Sequence, residues 1–130
     1  IAALLYEVAT RTLISKVVVG KRTAVCVVMA SGGYPDKYES GKPIMGLDAV
    51  AKEKGVVVFH AGTKATTDGV LTAGGRVLGV TAVAGGAELS EAISLAYRAV
   101  GEITFDGAYY RSDIGKKGLN ALQGQTETEG

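Results

Sequence analysis

At 130 residues the chain is long enough for one domain with a real core. Its 14 basic and 13 acidic side chains leave a net charge of +1, which removes the electrostatic case for binding nucleic acid or an anionic membrane. No apolar stretch approaches the ~20 residues needed to cross a bilayer, and the 19 glycines lack the three-residue period of collagen, so they read as turns and backbone-lined sites.

The chain opens on Ile1, Leu4, Leu5 and Val8 at helical spacing, which predicts an amphipathic helix. It has neither an initiator Met nor the basic flank of a signal peptide, and reads as a piece of a longer protein. Residues 13–19 read as a short strand or an extended connection. Thr23 to Ala30 is almost continuously apolar, as a strand buried on both faces would be. Within it Cys26, the sole cysteine, reads as a small buried hydrophobe. A lone thiol forms no disulfide within the chain, which suits a reducing cytoplasm. Ser31-Gly32-Gly33 ends the strand, and Pro35 biases Tyr34 toward extended backbone, giving a sharp loop.

Residues 36–42 read as polar surface loop, and residues 47–54 as a short helix closed by Gly55. Val56 to His60 is a second apolar strand, followed by a polar, Thr-rich turn from Gly62 to Gly69. Val70 to Thr72 and Arg76 to Val83 read as a hairpin joined through Ala73-Gly74-Gly75. Leu89, Ala92, Ile93, Ala96, Tyr97 and Val100 make one apolar stripe, the clearest helix in the chain. Glu88 and Glu91 suit the start of that helix, and Gly101 its stop. Ile103 to Phe105 and Ala108 to Tyr110 predict a strand pair across Asp106-Gly107, with Asp113 capping a last helix through Leu122. Residues 1–22 are a lead-in, residues up to 122 the domain, and residues 123–130 a disordered tail. Strands and helices do not alternate strictly, so the expected fold is α+β, a mostly antiparallel sheet with helices packed on one face.

Three places offer binding chemistry, each with a plainer alternative. The Ser31-Gly32-Gly33 turn presents backbone amides to a phosphate or carboxylate, or is only a tight turn. Arg76, after Gly74 and Gly75, is placed for a bidentate contact with a phosphate or carboxylate, or is a surface arginine. His60, before Gly62 and Thr63, is a base or ligand-orienting group, or a histidine bonded for structural reasons. Arg111 and Asp113 read as a local ion pair or a helix cap. No second His or Cys stands at ligand spacing, no acidic cluster offers a magnesium site, and the P-loop pattern is missing. No catalytic residue and no metal ligand is assigned to this chain.

Several blocks in fixed order carry a family resemblance: Met-Ala-Ser-Gly-Gly-Tyr-Pro at 29–35, Val-Phe-His-Ala-Gly-Thr at 58–63, Gly-Gly-Arg-Val-Leu-Gly-Val-Thr-Ala at 74–82, Ala96-Tyr97, and Tyr-Arg-Ser-Asp-Ile-Gly at 110–115. Together they resemble the carboxy-terminal region of the glycinamide ribonucleotide synthetases, or phosphoribosylamine–glycine ligases, of the ATP-grasp group. The likeness runs from about Thr23 to Leu122 and is poor before Thr23. Asp36 stands where the family often has glycine, and Gly118 where it usually has alanine.

The resemblance implies a cytoplasmic ligase of de novo purine synthesis. Glycine would be activated by ATP as an acyl phosphate, and the amine of 5-phosphoribosylamine would displace that phosphate. ATP and magnesium would be held mainly by an ATP-grasp domain outside this chain, against which this domain would pack. Arg76 with Gly74 and Gly75 would hold the substrate phosphate, His60, Gly62 and Thr63 would line the ribose side, and the Ser31 to Pro35 loop (Ser31, Gly32, Gly33, Tyr34 and Pro35) would shape the wall. Two other readings stay open: a non-catalytic or regulatory module that binds a small phosphate ester, and a purely structural interaction domain. An apolar interdomain face left bare would make the isolated piece self-associate.

Overall fold

The computed structural model describes residues 1–16, 20–86 and 88–126. Ten elements follow one another: α1 (Ala2–Ala9), β1 (Ala24–Ala30), β2 (Pro43–Ile44), α2 (Leu47–Val50), β3 (Val56–His60), β4 (Thr63–Thr66), β5 (Gly69–Thr72), β6 (Arg76–Val83), α3 (Leu89–Glu102) and α4 (Lys116–Thr126). They build two three-stranded antiparallel sheets, in the orders β1-β6-β3 and β2-β5-β4. The expected α+β class with antiparallel sheets holds.

The larger sheet has one covered face. Val25, Val27 and Met29 of β1 lie opposite Ala82, Val80 and Leu78 of β6, and all six are buried. The stripe of α3 lies over them through Ala92, Ala96, Ala99 and Val100, also buried. Alanines on that stripe let the helix sit close to the sheet, and each larger side chain removed from water contributes about 1.5–3 kcal/mol. The other face is bare: Ala24, Cys26 and Val28 of β1 are exposed, as are Val57 and Phe59 of β3. The β1 run is therefore buried on one face only, and Cys26 is exposed, contrary to the expectation of a buried thiol. An unbroken apolar run hides the period-2 alternation that would have shown this.

Several local expectations are corrected. The stretch from Gly62 to Gly69 is no turn: it holds β4 and, after Thr67-Asp68, the start of β5, which pair as a hairpin. β5 and β6 both exist but belong to different sheets, so Ala73-Gly74-Gly75 is a crossover and not a hairpin loop. Gly101 does not stop α3, which runs to Glu102 before Ile103 turns extended. The segments flanking the Asp106-Gly107 turn do not pair with each other. Thr104 bridges to Met45 and Tyr109 to Ala30. The helix expected to end at Leu122 continues as α4 to Thr126, so the tail is helical at least that far, and residues 127–130 lie outside the described residues.

The lead-in stands apart. α1 buries none of its residues, leaving Ile1, Leu5, Tyr6 and Val8 exposed. Its end is fastened by Glu7, whose carboxylate accepts from the Ile14 and Ser15 amides and the Ser15 hydroxyl. These bonds, that of the Ser15 hydroxyl foremost, hold the Glu7 carboxyl below its ordinary value. Residues 13–16 form no strand, and residues 17–19 of the expected strand or connection lie outside the described residues.

Candidate functional site

Three of the expected glycine segments meet at one end of the larger sheet. The Ser31 amide donates to the Gly75 carbonyl at 2.8 Å, and the Ser31 hydroxyl to the Gly74 carbonyl at 2.9 Å. Ser31 is accordingly buried. The Gly62 amide donates to the Arg76 carbonyl at 2.8 Å, while the Gly62 carbonyl accepts from Ala73 at 2.7 Å. Gly62 and Gly74 pack backbone to backbone: a Cβ on Gly62 would stand 2.7 Å from the Gly74 Cα and 2.6 Å from the Arg76 carbonyl oxygen. At Gly75 a Cβ would enter the ring of Tyr34. Close approach is what these two positions require of glycine.

The bonding divides the expected donors. The amides of Ser31 and Gly62 are spent inside the protein. Those of Gly32, Gly33, Gly74 and Gly75 donate to no acceptor among the described residues. Gly32 and Gly33 are exposed and Gly74 half-buried, so their amides can meet an anion, whereas Gly75 is buried beneath the Tyr34 ring.

Arg76 is turned outward by a bulge. β1 and β6 run in register from Ala24–Val83 to Met29–Leu78, then shift so that Ala30 opposes Arg76. A regular ladder would send Arg76 to the face of Leu78 and Val80. The shift aims it to the bare face instead, a common use of a bulge at a sheet end. There it lines a cleft of about 470 Å³ with Val28, Tyr34, Phe59, Gly75 and Gly79. Its guanidinium has no ion-pair partner among the described residues.

His60 goes elsewhere. Successive strand residues point to opposite faces, so Phe59 lines the Arg76 cleft and His60 does not. His60 lines a smaller hollow with Leu47, Asp48 and Val70, and its Nδ1 lies 3.1 Å from the Thr63 hydroxyl. The structure thus gathers Ser31, Gly32, Gly33, Gly62, Gly74, Gly75 and Arg76, and sets His60 and Thr63 on the other side of β3. Asp113 caps no helix with its side chain. It takes two hydrogen bonds from Arg111, at 2.8 and 2.7 Å, and these hold its carboxyl below the usual range.

Sequence reasoning missed two parts of this region. Phe59, one aromatic wall of the cleft, carried no signal beyond its place beside the glycine blocks, whereas Tyr34, the other, lies in the Ser31 to Pro35 loop expected to shape the wall. Lys42, in a polar hollow of about 400 Å³ beside Gly32 and Gly107, bridges Glu39 at 2.7 Å and Asp106 at 3.3 Å. Hydrogen bonding to Glu39 first, and then to Asp106, raises its ammonium above its ordinary value. Among the described residues no group of three His, Cys, Asp or Glu side chains could hold a metal ion, and no helix is long and apolar enough to cross a membrane.

Known proteins resemble this chain in sequence and in fold. The phosphoribosylamine–glycine ligase of Synechocystis is 59% identical over 96 residues, which is 74% of this chain and 22% of that protein. The chloroplastic phosphoribosylamine–glycine ligase of Arabidopsis thaliana is 47% identical over 111 residues, 84% of this chain and 20% of that protein. The crystal structure of phosphoribosylamine–glycine ligase from Thermotoga maritima superposes with a TM-score of 0.69 at 30% identity, covering 86% of this chain and 26% of that one. The chain thus spans about a fifth to a quarter of the length of these relatives. A family model described as "Phosphoribosylglycinamide synthetase, C domain" matches residues 24–117. With most of its length matched, the chain belongs to the phosphoribosylglycinamide synthetase C-domain family.

Proposed function

We propose that this chain serves as the C domain of a phosphoribosylamine–glycine ligase and holds the phosphate of phosphoribosylamine. One observation carries the reading: an unpaired guanidinium, Arg76, is swung by a bulge onto the same end of the sheet as the uncommitted amides of Gly32, Gly33 and Gly74. A guanidinium with unbonded backbone N–H groups nearby suits a phosphate dianion. Tyr34 and Phe59 line the same cleft as Arg76. His60 and Thr63 stand apart from that cleft, so the reading rests on Arg76 and the glycines.

The bare face extends the proposal. Cys26, Val28, Val57 and Phe59 form a contiguous apolar surface that meets the Arg76 cleft at Val28 and Phe59. The rest of the ligase packs there and closes the site, and the isolated chain pairs with itself instead. ATP, as the phosphoryl donor, and the magnesium that binds its phosphates would be held mainly by the ATP-grasp domain outside this chain. The exposed thiol of Cys26 suits the reducing cytoplasm.

The test uses the ligase that carries this chain. ADP release is expected to require both glycine and phosphoribosylamine. Arg76→Ala is expected to raise the KM for phosphoribosylamine by roughly ten- to a hundredfold, the scale of a lost charge-assisted contact. An unchanged KM removes Arg76 from the phosphate site. ADP release that ignores either substrate removes the ligase reading and favours a binding module that reuses the glycine turns.

A further inference from the structure

The segment between α3 and α4 touches the Ser31 turn twice. Ala30 and Tyr109 exchange two backbone hydrogen bonds, at 2.7 and 2.9 Å, immediately before Ser31. Gly107 lies so close to Gly32 that a Cβ on Gly32 would stand 2.8 Å from the Gly107 carbonyl oxygen. The turn is therefore held between two walls: Gly74 and Gly75 on one side, and residues 107–109 on the other. The first wall is tied into β6. The second belongs to an irregular segment that must be fixed from elsewhere.

Tyr97 fixes it. This residue stands on α3, whose neighbours Ala96, Ala99 and Val100 are buried against the sheet. Its hydroxyl donates to the Arg111 carbonyl at 2.7 Å and accepts from the Ile114 amide at 3.0 Å. Its ring lies against Tyr110, with centroids 6.4 Å apart. One side chain on the best-packed helix thus pins both ends of residues 111–114, two residues beyond the Ala30–Tyr109 bridge. The Arg111–Asp113 pair stiffens the span between those two bonds.

We infer that Tyr97 is a positioning residue for the phosphate site, setting the Ser31–Gly33 turn through the segment from Gly107 to Ile114. It lies on the core side of the sheet and acts through backbone contacts, without touching the cleft that Arg76 lines. The inference rests on the proposed site for its consequence in activity, but the geometry it claims is testable without any substrate.

Tyr97→Phe keeps the ring and deletes both hydroxyl bonds. Two readouts decide. Amide hydrogen exchange in the chain is expected to quicken several-fold at Ala30, Tyr109 and Ile114 while Val27 and Val80 keep their rates. In the ligase, the KM for phosphoribosylamine is expected to rise roughly fivefold, about one net hydrogen bond, with kcat little changed. Exchange that quickens everywhere in proportion, or nowhere, assigns Tyr97 to general stability and overturns the inference. Local quickening with an unchanged KM overturns the link to the site. If Arg76→Ala also leaves KM unchanged, it is the phosphate site itself that has failed, and the exchange result still judges Tyr97. Gly107→Ala strains the same segment at its other end, where φ is +72°, and serves if Tyr97→Phe does not fold. It must quicken Ala30 and Tyr109 and raise the same KM, and the inference falls if it does neither.

Discussion

The two faces of the larger sheet are built from similar residues and meet different fates. The inner face carries Val25, Val27, Met29, Leu78, Val80 and Ala82, all within a few per cent of complete burial under α3. The outer face carries Val28, Val57 and Phe59, which are 45%, 49% and 59% exposed. A self-sufficient sheet of this kind would alternate apolar and polar side chains, with the polar ones facing water. This one is apolar on most of both sides, with Thr81 the polar exception on the outer face, as the proposed docking of the rest of the ligase there requires. The Arg76 cleft opens on that outer face, which links the domain's site to whatever covers it.

Paired substitutions sharpen the contrast most. Met29→Ala, on the covered face, is expected to cost about 2–5 kcal/mol of stability in the chain alone. Val28→Ala, its neighbour on the bare face, is expected to cost under about 1 kcal/mol. Chemical denaturation of both measures the difference, and equal losses would mean that the outer face is covered in solution. A smaller effect follows at Phe59. Phe59→Ser is expected to leave the midpoint nearly unchanged and to weaken self-association of the chain by roughly tenfold, read by sedimentation, on the scale of one large apolar side chain. Self-association that survives the change would move the contact to another surface, with the exposed side chains of α1 the first to examine.

The sequence makes α3 plain because its apolar residues repeat with the helical period while its other faces are polar. The strand β1 is equally plain as a strand, but its burial is not, since a run with no polar residue gives no phase from which to tell inside from outside. Turn residues likewise mark where the chain bends and not what the bend joins. Ala73-Gly74-Gly75 looks like a hairpin locally, yet it carries the chain from one sheet to the other. The Thr-rich stretch after Gly62 looks like a loop because threonine serves turns and strands alike, and only pairing with β5 shows it to be β4.

At the site, Arg76 and the glycines are legible from the Gly-Gly-Arg block. The bulge that turns Arg76 outward depends on a register slip against β1, a long-range fact that no local pattern carries. The same holds for Tyr97, an ordinary member of a helical stripe until its hydroxyl is seen between Arg111 and Ile114. His60 shows the reverse case: beside the glycine blocks in sequence, it is carried to the other side of β3 by simple alternation.

The central claim is that the bare face is the docking surface of the ligase, and Cys26 reports on it directly. As the sole cysteine of this chain, exposed in the middle of that face, it is a natural probe. The measurement is the rate of maleimide labelling at Cys26, read on its own peptide by mass spectrometry, in the dilute chain and in the ligase that carries it. If the rest of the ligase docks on this face, labelling is rapid in the chain and at least tenfold slower in the folded ligase, the mark of a thiol that is mostly covered there. Equal rates in both would leave the face bare in the intact enzyme and contradict the account.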